Sequence, residues 1–527
     1  MANDPNTIQY VIQEDGFWYV ASKDRTPGVP EITVSAKGVA NGLSTEYNDG
    51  YDFGPDTYNP NSTANPPYTE TAGIQEAYNY IIAQNGGEIK LTTGIFTLNE
   101  PVIMDSAVNI KITGSVVSNP TANSNPTDYL AGTLIVPSAS FPTTSDITPT
   151  GVAYLFESMP SVRNYGVLQI ENIAFLGNTI ANYGTQGSIG AIASGSSNGY
   201  IPRVIMRNLK FHLCLYTADI VNLGGPMFLD NIHLTDCGYG FRLDAVDAII
   251  GLYEAFANTV SGIEFGNTFP NTYSPSQPWS LVILYLNTSN QSGVPFKISY
   301  GDDPGSQLTA NRWAANINIH NWISVSLSAS VTSLITATGY GSPIDMHVGS
   351  LYSSQYISTF LTSNAQTPTY GDYGSFNLHI DTLTLELEQD LTWYVNQNTV
   401  SGTVTATPVT IKISKVIPLL NNYTISDLAS DNSVLIDAPD FSSVISPTTP
   451  SVPSSGTAQQ NTNPYPVNVY VYGGDVTEIQ ITRNGTAYTV LSVSTAIAMS
   501  GQVYKLNPGD SITLTYSTAP SWEWLSD

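Results

Sequence analysis

Apolar residues recur along this chain in two rhythms. Ile74, Ala77, Tyr78, Ile81 and Ile82 stand at i, i+3, i+4, i+7 and i+8, one face of a helix. Gly86-Gly87 ends it, since glycine accepts the left-handed turn that closes a helix. Elsewhere the alternation is that of strands. Ile8–Ile12, Phe17–Ala21 and Glu31–Ala36 precede the helix, and Glu88–Leu91, Ile95–Leu98 and Val108–Ile112 follow it. Asn41 to Tyr68, rich in Gly, Asn, Asp, Pro and Tyr, reads as a long loop between them.

A more specific pattern lies downstream. Ile317–Trp322 (INIHNW), Met346–Leu351 (MHVGSL), Leu378–Leu383 (LHIDTL) and Ile411–Val416 (IKISKV) superimpose without adjustment. Each reads apolar, polar, apolar, two polar or small, apolar. Leu168–Ile173 (LQIENI), Val204–Leu209 (VIMRNL) and Met227–Ile232 (MFLDNI) match the same template, and Asn258–Ile263 (NTVSGI) is expected to continue it. The inward anchors are then Ile170, Met206, Leu229, Val260, Ile319, Val348, Ile380 and Ile413. An alternation broken by two polar residues is a strand, a sharp turn and the next strand, and repeats of this length fit one coil of a solenoid. The expectation is an all-β chain: a right-handed parallel β-helix with an N-terminal capping helix and a small C-terminal β domain. A β-sandwich with look-alike strands is the alternative; leucine-rich repeats are excluded by the missing leucine framework.

The boundaries follow. Residues 1–40 form an N-terminal β element, 41–87 the loop and capping helix, and 88–440 the β-helix. Residues 441–466 form a Pro/Ser/Thr-rich linker, and 467–527 a C-terminal β-sandwich-like domain with turns at Gly473-Gly474, Asn484-Gly485 and Pro508-Gly509.

Composition narrows the partners. Of 527 residues, 41% are hydrophobic, enough for a large core, and only 11% are charged. Sixteen Lys+Arg against 42 Asp+Glu give a net charge of −26, which repels nucleic acid and anionic membranes. No run approaches the roughly 20 apolar residues of a membrane span. Met1–Tyr10 lacks the basic and apolar parts of a secretion signal, which for a chain of extracellular character points to a virion component.

Two stretches carry a resemblance. Lys37–Gly42 (KGVANG), Gly73–Gln84 and Gly86–Leu98 (GGEIKLTTGIFTL) together resemble the N-terminal part of the pectate-lyase-like superfamily, in which a glycine-containing turn precedes a capping helix and first strand. Val503–Trp524 is similar to terminal modules of phage and archaeal-virus tail spike and tail fibre proteins. Together they imply a β-helix shaft that trimerises. The expected role is a virion-surface, tail-spike-like protein for host adsorption, with other virion proteins and host-surface polysaccharide or glycoprotein as partners. The rival from another class is a polysaccharide lyase or glycoside hydrolase on the same scaffold, and a third reading is a cellular surface-layer or filament protein.

Candidate chemistry is sparse. Cys214 and Cys237 each lie eight residues beyond an anchor, so they meet on adjacent coils as a disulfide or as stacked thiols. With no further Cys or clustered His, no metal site is expected, apart from calcium at Asp49 and Asp52 in the loop Glu46–Asp52. Asp230, Asp236, Asp244 and Asp247, with His233 and Arg242, concentrate acids and bases on two neighbouring coils; pectate-lyase-like enzymes work from lateral grooves at such places, although no residue here matches a catalytic motif of that family. Glu386, Glu388 and Asp390 alternate along one strand, at a spacing open to glycoside hydrolysis. Glu171, Arg207 and Asp230 stack as an ion-pair ladder or part of a carbohydrate groove. Tyr51, Tyr58, Trp313, Trp322 and Trp393 are candidate platforms for sugar rings.

Overall fold

The computed structural model describes residues 8–14, 17–22, 31–36, 52–55, 57, 68–104, 108–115, 132–148, 150–158, 166–182, 185, 187–194, 203–223, 226–245, 247–265, 280–299, 315–325, 330–340, 344–354, 356–365, 376–386, 392–396, 409–418, 434–437, 449–463 and 466–526. The chain divides into two compact units. One comprises 1–287, 291–293 and 300–306; the other comprises 288–290, 294–299 and 307–527.

In the first unit the template segments become rungs of one parallel sheet. Its order is Glu31–Val34, Gly87–Leu91, Ile110–Thr113, Val167–Glu171, Arg203–His212, Met227–Thr235, Asp247–Phe256 and Ser280–Ser289. A second parallel sheet runs Val102–Ile103, Tyr154–Ser158, Gly190–Ser194, Tyr216–Leu223, Tyr239–Ala245 and Ser261–Phe265. A third row, Gly94–Leu98, Thr133–Pro137 and Ile173–Leu176, continues into the end of Arg203–His212. The second unit repeats the plan with Ala315–Ser324, Ile344–Ser353, Phe376–Leu385, Val409–Pro418 and Val434–Asp437. Opposite them run Val294–Ser299, Ser330–Tyr340, Tyr356–Ala365 and Thr392–Asn396. Stacked parallel rungs in separate rows make the fold a parallel β-helix.

The long rungs bury positions spaced two, three and two apart, such as Val204, Met206, Leu209 and Phe211, or Met346, Val348, Leu351 and Ser353. The three-residue gap is a bend. Asn172, Asn208 and Asn231 occupy it with φ of 60°, 52° and 54°, a left-handed conformation that asparagine tolerates better than other non-glycine residues. Their amides also form a ladder: Asn231 Nδ2 donates to Asn208 Oδ1 at 2.7 Å, and Asn208 Nδ2 to Asn172 Oδ1 at 2.9 Å. Inside, Phe175 stacks on Phe211 at 5.3 Å, and Phe156 and Phe241 meet them edge-on at 5.4 Å each. Each such buried ring contributes roughly 1.5–3 kcal/mol of transfer free energy.

One anchor is corrected. Val260 is 37% exposed and precedes the second-sheet strand Ser261–Phe265. The residue in register with Leu229 is Ile250, only 21 positions on. That coil hides itself because Ile249, facing out, is apolar and 44% exposed, so the alternation disappears.

The helix spans Ile74–Ala83 and buries Ile74, Ala77, Tyr78 and Ile81 against Glu31–Val34, Gly87–Leu91 and Val102–Ile103. Gly73 at its start, with φ of 85°, lies so near Gly54 that a Cβ would stand 2.7 Å from the Gly54 nitrogen. Upstream, Ile8–Glu14 and Phe17–Ser22 pair as an antiparallel hairpin.

The C-terminal sheet has five strands: Ala458–Gln460, Val467–Arg483, Thr486–Leu506, Ser511–Thr518 and Ser521–Ser526. Asn484-Gly485, with φ of 49° and 72°, turns the expected hairpin. Gly473-Gly474 does not turn the chain. Val467–Arg483 runs through it as one strand, shifting register and changing partner from Ser521–Ser526 to Ser511–Thr518. Part of the stretch read as a linker also lies on this sheet. Ala458–Gln460 is a strand of it, and the Tyr516 hydroxyl and Trp522 Nε1 donate to the carbonyls of Pro453 and Pro450 at 2.6 and 2.7 Å.

Candidate functional site

The second sheet of the first unit brings chemistry together. Its register sets Tyr154, Gly190, Tyr216 and Tyr239 in one column, and Glu157, Ala193, Asp219, Arg242 and Glu264 in another. Gly190 makes the first column feasible, because a Cβ there would stand 2.0 Å from the Tyr154 ring. Tyr216 and Tyr239 stack at 4.5 Å with 12° between planes, and both are half-buried. The Arg242 guanidinium lies over them, 5.2 and 5.6 Å from the two ring centroids.

Arg242 is held from both sides. Its Nη1 meets Asp219 Oδ1 at 3.2 Å and its Nε donates to Glu264 Oε2 at 3.0 Å. All three side chains are buried. The Tyr154 hydroxyl donates to Asp219 Oδ2 and also lies 3.2 Å from Thr150 Oγ1. Burial pushes the Asp219 carboxyl above its ordinary range, with Arg242 and the Tyr154 hydrogen bond opposing and Glu264 adding to the rise. Burial raises the Tyr154 phenol strongly, and the Asp219 charge raises it further. For Arg242 burial pulls downward, but Asp219 and Glu264 outweigh it and keep the guanidinium charged. Beside them, Glu157 accepts from the Tyr154 N–H at 2.9 Å and the Ser145 hydroxyl at 3.1 Å, and burial raises its carboxyl too.

The arrangement suits binding better than hydrolysis. A glycosidase needs two carboxylates that reach the scissile bond, whereas Asp219 and Glu264 share one guanidinium inside the protein. What faces outward is the Tyr216–Tyr239 pair, stiffened from behind by the cation.

The acids read from sequence as one cluster are separated. Asp230 Oδ1 accepts the Leu252 N–H at 3.3 Å on the first sheet. Asp236 occupies a left-handed turn with φ of 55°, at the place that Leu213 and Ala257 fill on neighbouring coils, and burial raises its carboxyl. Asp247 is exposed, and the side chain of Asp244 lies outside the described residues. His233 Nδ1 pairs with Glu254 Oε2 at 2.6 Å, and Arg242 belongs to the second sheet. Glu171 forms ion pairs with Lys111 at 3.4 Å and Arg207 at 3.5 Å, a surface ladder of little energetic weight.

Trp322 is corrected as a sugar platform. It is 1% exposed, packs against Phe296, and its Nε1 donates to Thr288 Oγ1 at 2.9 Å, so it fills the core of a coil. Trp313, Tyr51 and Tyr58 lie outside the described residues, as does the Trp393 side chain. The Asp52 carboxylate accepts the Thr33 N–H at 2.8 Å; Asp49 is outside the described residues, and among those described no three metal-ligating groups converge at Asp52. Glu386 accepts from the Tyr352 hydroxyl at 2.5 Å, just past the end of Phe376–Leu385; Glu388 and Asp390 lie outside the described residues.

Cys214 and Cys237 meet at matching positions of adjacent coils as buried free thiols. Each Sγ donates to the carbonyl two residues back, His212 at 3.5 Å and Thr235 at 3.4 Å. Burial, then the neighbouring Cys237, pushes the Cys214 thiol far up, which makes it a poor nucleophile. No helix among the described residues is long and apolar enough to cross a membrane.

No family model matches the chain, and no curated protein does. Solved structures do. Pantoea stewartii WceF, a glycan biofilm modifying enzyme with a bacteriophage tailspike-like parallel β-helix fold, is 11% identical, with a TM-score of 0.30 over 86% of this chain and 58% of that one. The chain thus spans less than two thirds of that protein. The tailspike protein of Escherichia coli bacteriophage HK620 in complex with a pentasaccharide is 11% identical, with a TM-score of 0.28 over 86% and 88%. A mutant of the same tailspike with a hexasaccharide is 10% identical, with a TM-score of 0.27 over the same shares.

Proposed function

We propose that this protein is a tailspike-like component of a virion surface that adsorbs to polysaccharide on a host cell, binding sugar rings at the Tyr216–Tyr239 pair. The observation that carries the reading is that pair itself: two parallel, half-buried phenol rings backed by a buried, fully countered guanidinium. With the two ring faces stacked on each other, the pair turns ring edges and hydroxyls to a sugar, apolar and polar atoms side by side, at little cost in side-chain entropy. The acidic surface suits a neutral or cationic glycan better than a polyanion.

The test is binding of the intact protein to host-envelope polysaccharide by calorimetry, with chain length followed in parallel. Tyr216→Ala and Tyr239→Ala should each weaken binding at least about tenfold, the scale of one lost aromatic contact, without shortening of the glycan by any form. Full affinity in both variants refutes the site. Glycan shortening that stops in Asp219→Asn establishes the enzyme reading instead.

The same reading has the protein act as a homotrimer. Supporting it, Thr486–Leu506 is an edge strand of the C-terminal sheet, carries no charged residue from Thr486 to Tyr504, and exposes Tyr488, Val490, Ile497 and Val503. A long uncharged apolar edge is what proteins otherwise avoid leaving open.

A further inference from the structure

The outward face of the second unit's first sheet holds a cluster that the glycan reading does not use. His347 and His379 are paired residues on the adjacent strands Ile344–Ser353 and Phe376–Leu385, and their rings lie 5.1 Å apart. Asp381 follows His379 by two positions, so it projects from the same face of its strand. Both imidazoles turn the same nitrogen to the same oxygen. His347 Nε2 stands 3.1 Å from Asp381 Oδ1, and His379 Nε2 stands 3.6 Å from it. All three donor atoms lie within 4.8 Å of one another.

We propose that His347 Nε2, His379 Nε2 and Asp381 Oδ1 form a site for a divalent transition-metal ion of the zinc class. Bonds of about 2.0–2.1 Å at tetrahedral angles put donor atoms about 3.3 Å apart. Two of the three separations already bracket that value, and the third closes by small rotations of half-exposed rings. Two imidazoles and one carboxylate select zinc, cobalt, nickel or copper over calcium, which takes oxygen ligands. Ser414 Oγ, 3.0 Å from His379 Nε2, stands next in register, within reach of a fourth position. The other flank is open. Gly349 lies beside Asp381, between the register pairs Val348/Ile380 and Ser350/Thr382, and brings no side chain there. A metal held by three protein donors on an exposed face keeps a coordination position for water or a group from another molecule. Lys412, in register with His379, is the nearby opposing charge.

The test uses the full chain stripped of metal and titrated with zinc, and separately with cobalt, whose visible absorption reports coordination number. The expected result is one zinc per chain and an intense four-coordinate cobalt spectrum, with no competition from millimolar calcium. His347→Ala, His379→Ala and Asp381→Asn should each weaken zinc binding at least about 100-fold, since loss of a mere outer-shell partner costs 10–100-fold. His320→Ala, on the same face but outside the cluster, should leave the affinity within about twofold. Unchanged circular dichroism would tie any loss to the ligands and not to the coil. Zinc uptake equal in the wild type and the His347→Ala/His379→Ala form overturns the proposal, and so does loss in His320→Ala with retention in His379→Ala.

Discussion

Arg242 gives the sharpest test of how the second sheet is held together. Replacing it with methionine keeps most of the unbranched stem and removes the cation that Asp219 and Glu264 share at 3.2 and 3.0 Å. Both acids are buried, so Arg242→Met leaves two carboxylates without the guanidinium in a low-dielectric setting. Breaking such a buried pair from one side costs about 3–5 kcal/mol, which is two to three and a half decades in an opening equilibrium. Coils of a stacked repeat open locally, so the quantity to measure is native-state hydrogen exchange at the amides of Tyr216–Leu223 and Tyr239–Ala245. At pH 7 their opening free energy should fall by that amount. The deficit should shrink towards pH 4. Asp219 already has its affinity for protons raised by burial, and a raised carboxyl favours the fold below its unfolded value and disfavours it as pH climbs. The triple form Arg242→Met/Asp219→Asn/Glu264→Gln removes the charges together and should recover most of the loss. Amides of Arg242→Met as well protected as the wild type at pH 7, or a deficit equal at pH 7 and pH 4, would refute the account.

Two further outcomes are expected. Burial lowers the affinity of His212 for protons from 6.5 to about 4, so its contribution is whole above about 6.5 and is lost as pH falls through 4. At about 1.4 kcal/mol per tenfold, the wild type should lose about 3 kcal/mol relative to His212→Gln between pH 7 and pH 4 in denaturant midpoints; parallel curves would contradict the assignment. At the edge strand Thr486–Leu506, Val490→Lys/Ile497→Lys should convert a trimer to monomer by sedimentation equilibrium, and a wild type that is already monomeric at working concentration would sink the oligomer.

The first sheet was readable in advance because its binary pattern survives. Each rung buries one face and wets the other, and the bend at Asn208 or Asn231 prints two polar residues into an apolar alternation. From Ile170 to Leu229 and from Ile319 to Ile413 the anchors therefore stand where the template puts them. The second sheet has no such print. Tyr154–Ser158, Gly190–Ser194 and Ser261–Phe265 are buried at every position, so apolar and polar residues alternate without marking inside from outside. Asp219 and Arg242 look like surface charges until register shows them to be buried partners 23 residues apart. The histidine cluster is a different case. Aligning Met346-His347-Val348 on Leu378-His379-Ile380 already sets the imidazoles side by side, but a separation of 32 positions conceals it when chemistry is sought along the chain.

Columns follow a rule that makes the exceptions informative. Stacking at about 4.8 Å repeats each side chain against its counterpart. Like upon like is favourable for Phe175 and Phe211, or for the asparagine ladder, where a ring face or an amide satisfies its own kind. Charges gain from alternation instead, and two columns show it. Lys111 lies between Glu88 and Glu171, and Arg242 lies between Asp219 and Glu264. His347 over His379 follows the first rule, one imidazole against its counterpart with ring centroids 5.1 Å apart. What sets this column apart is that both Nε2 atoms turn to one oxygen, Asp381 Oδ1, at 3.1 and 3.6 Å. A divalent ion at the proposed site would account for that convergence, because it takes one nitrogen from each ring and the carboxylate oxygen as ligands together.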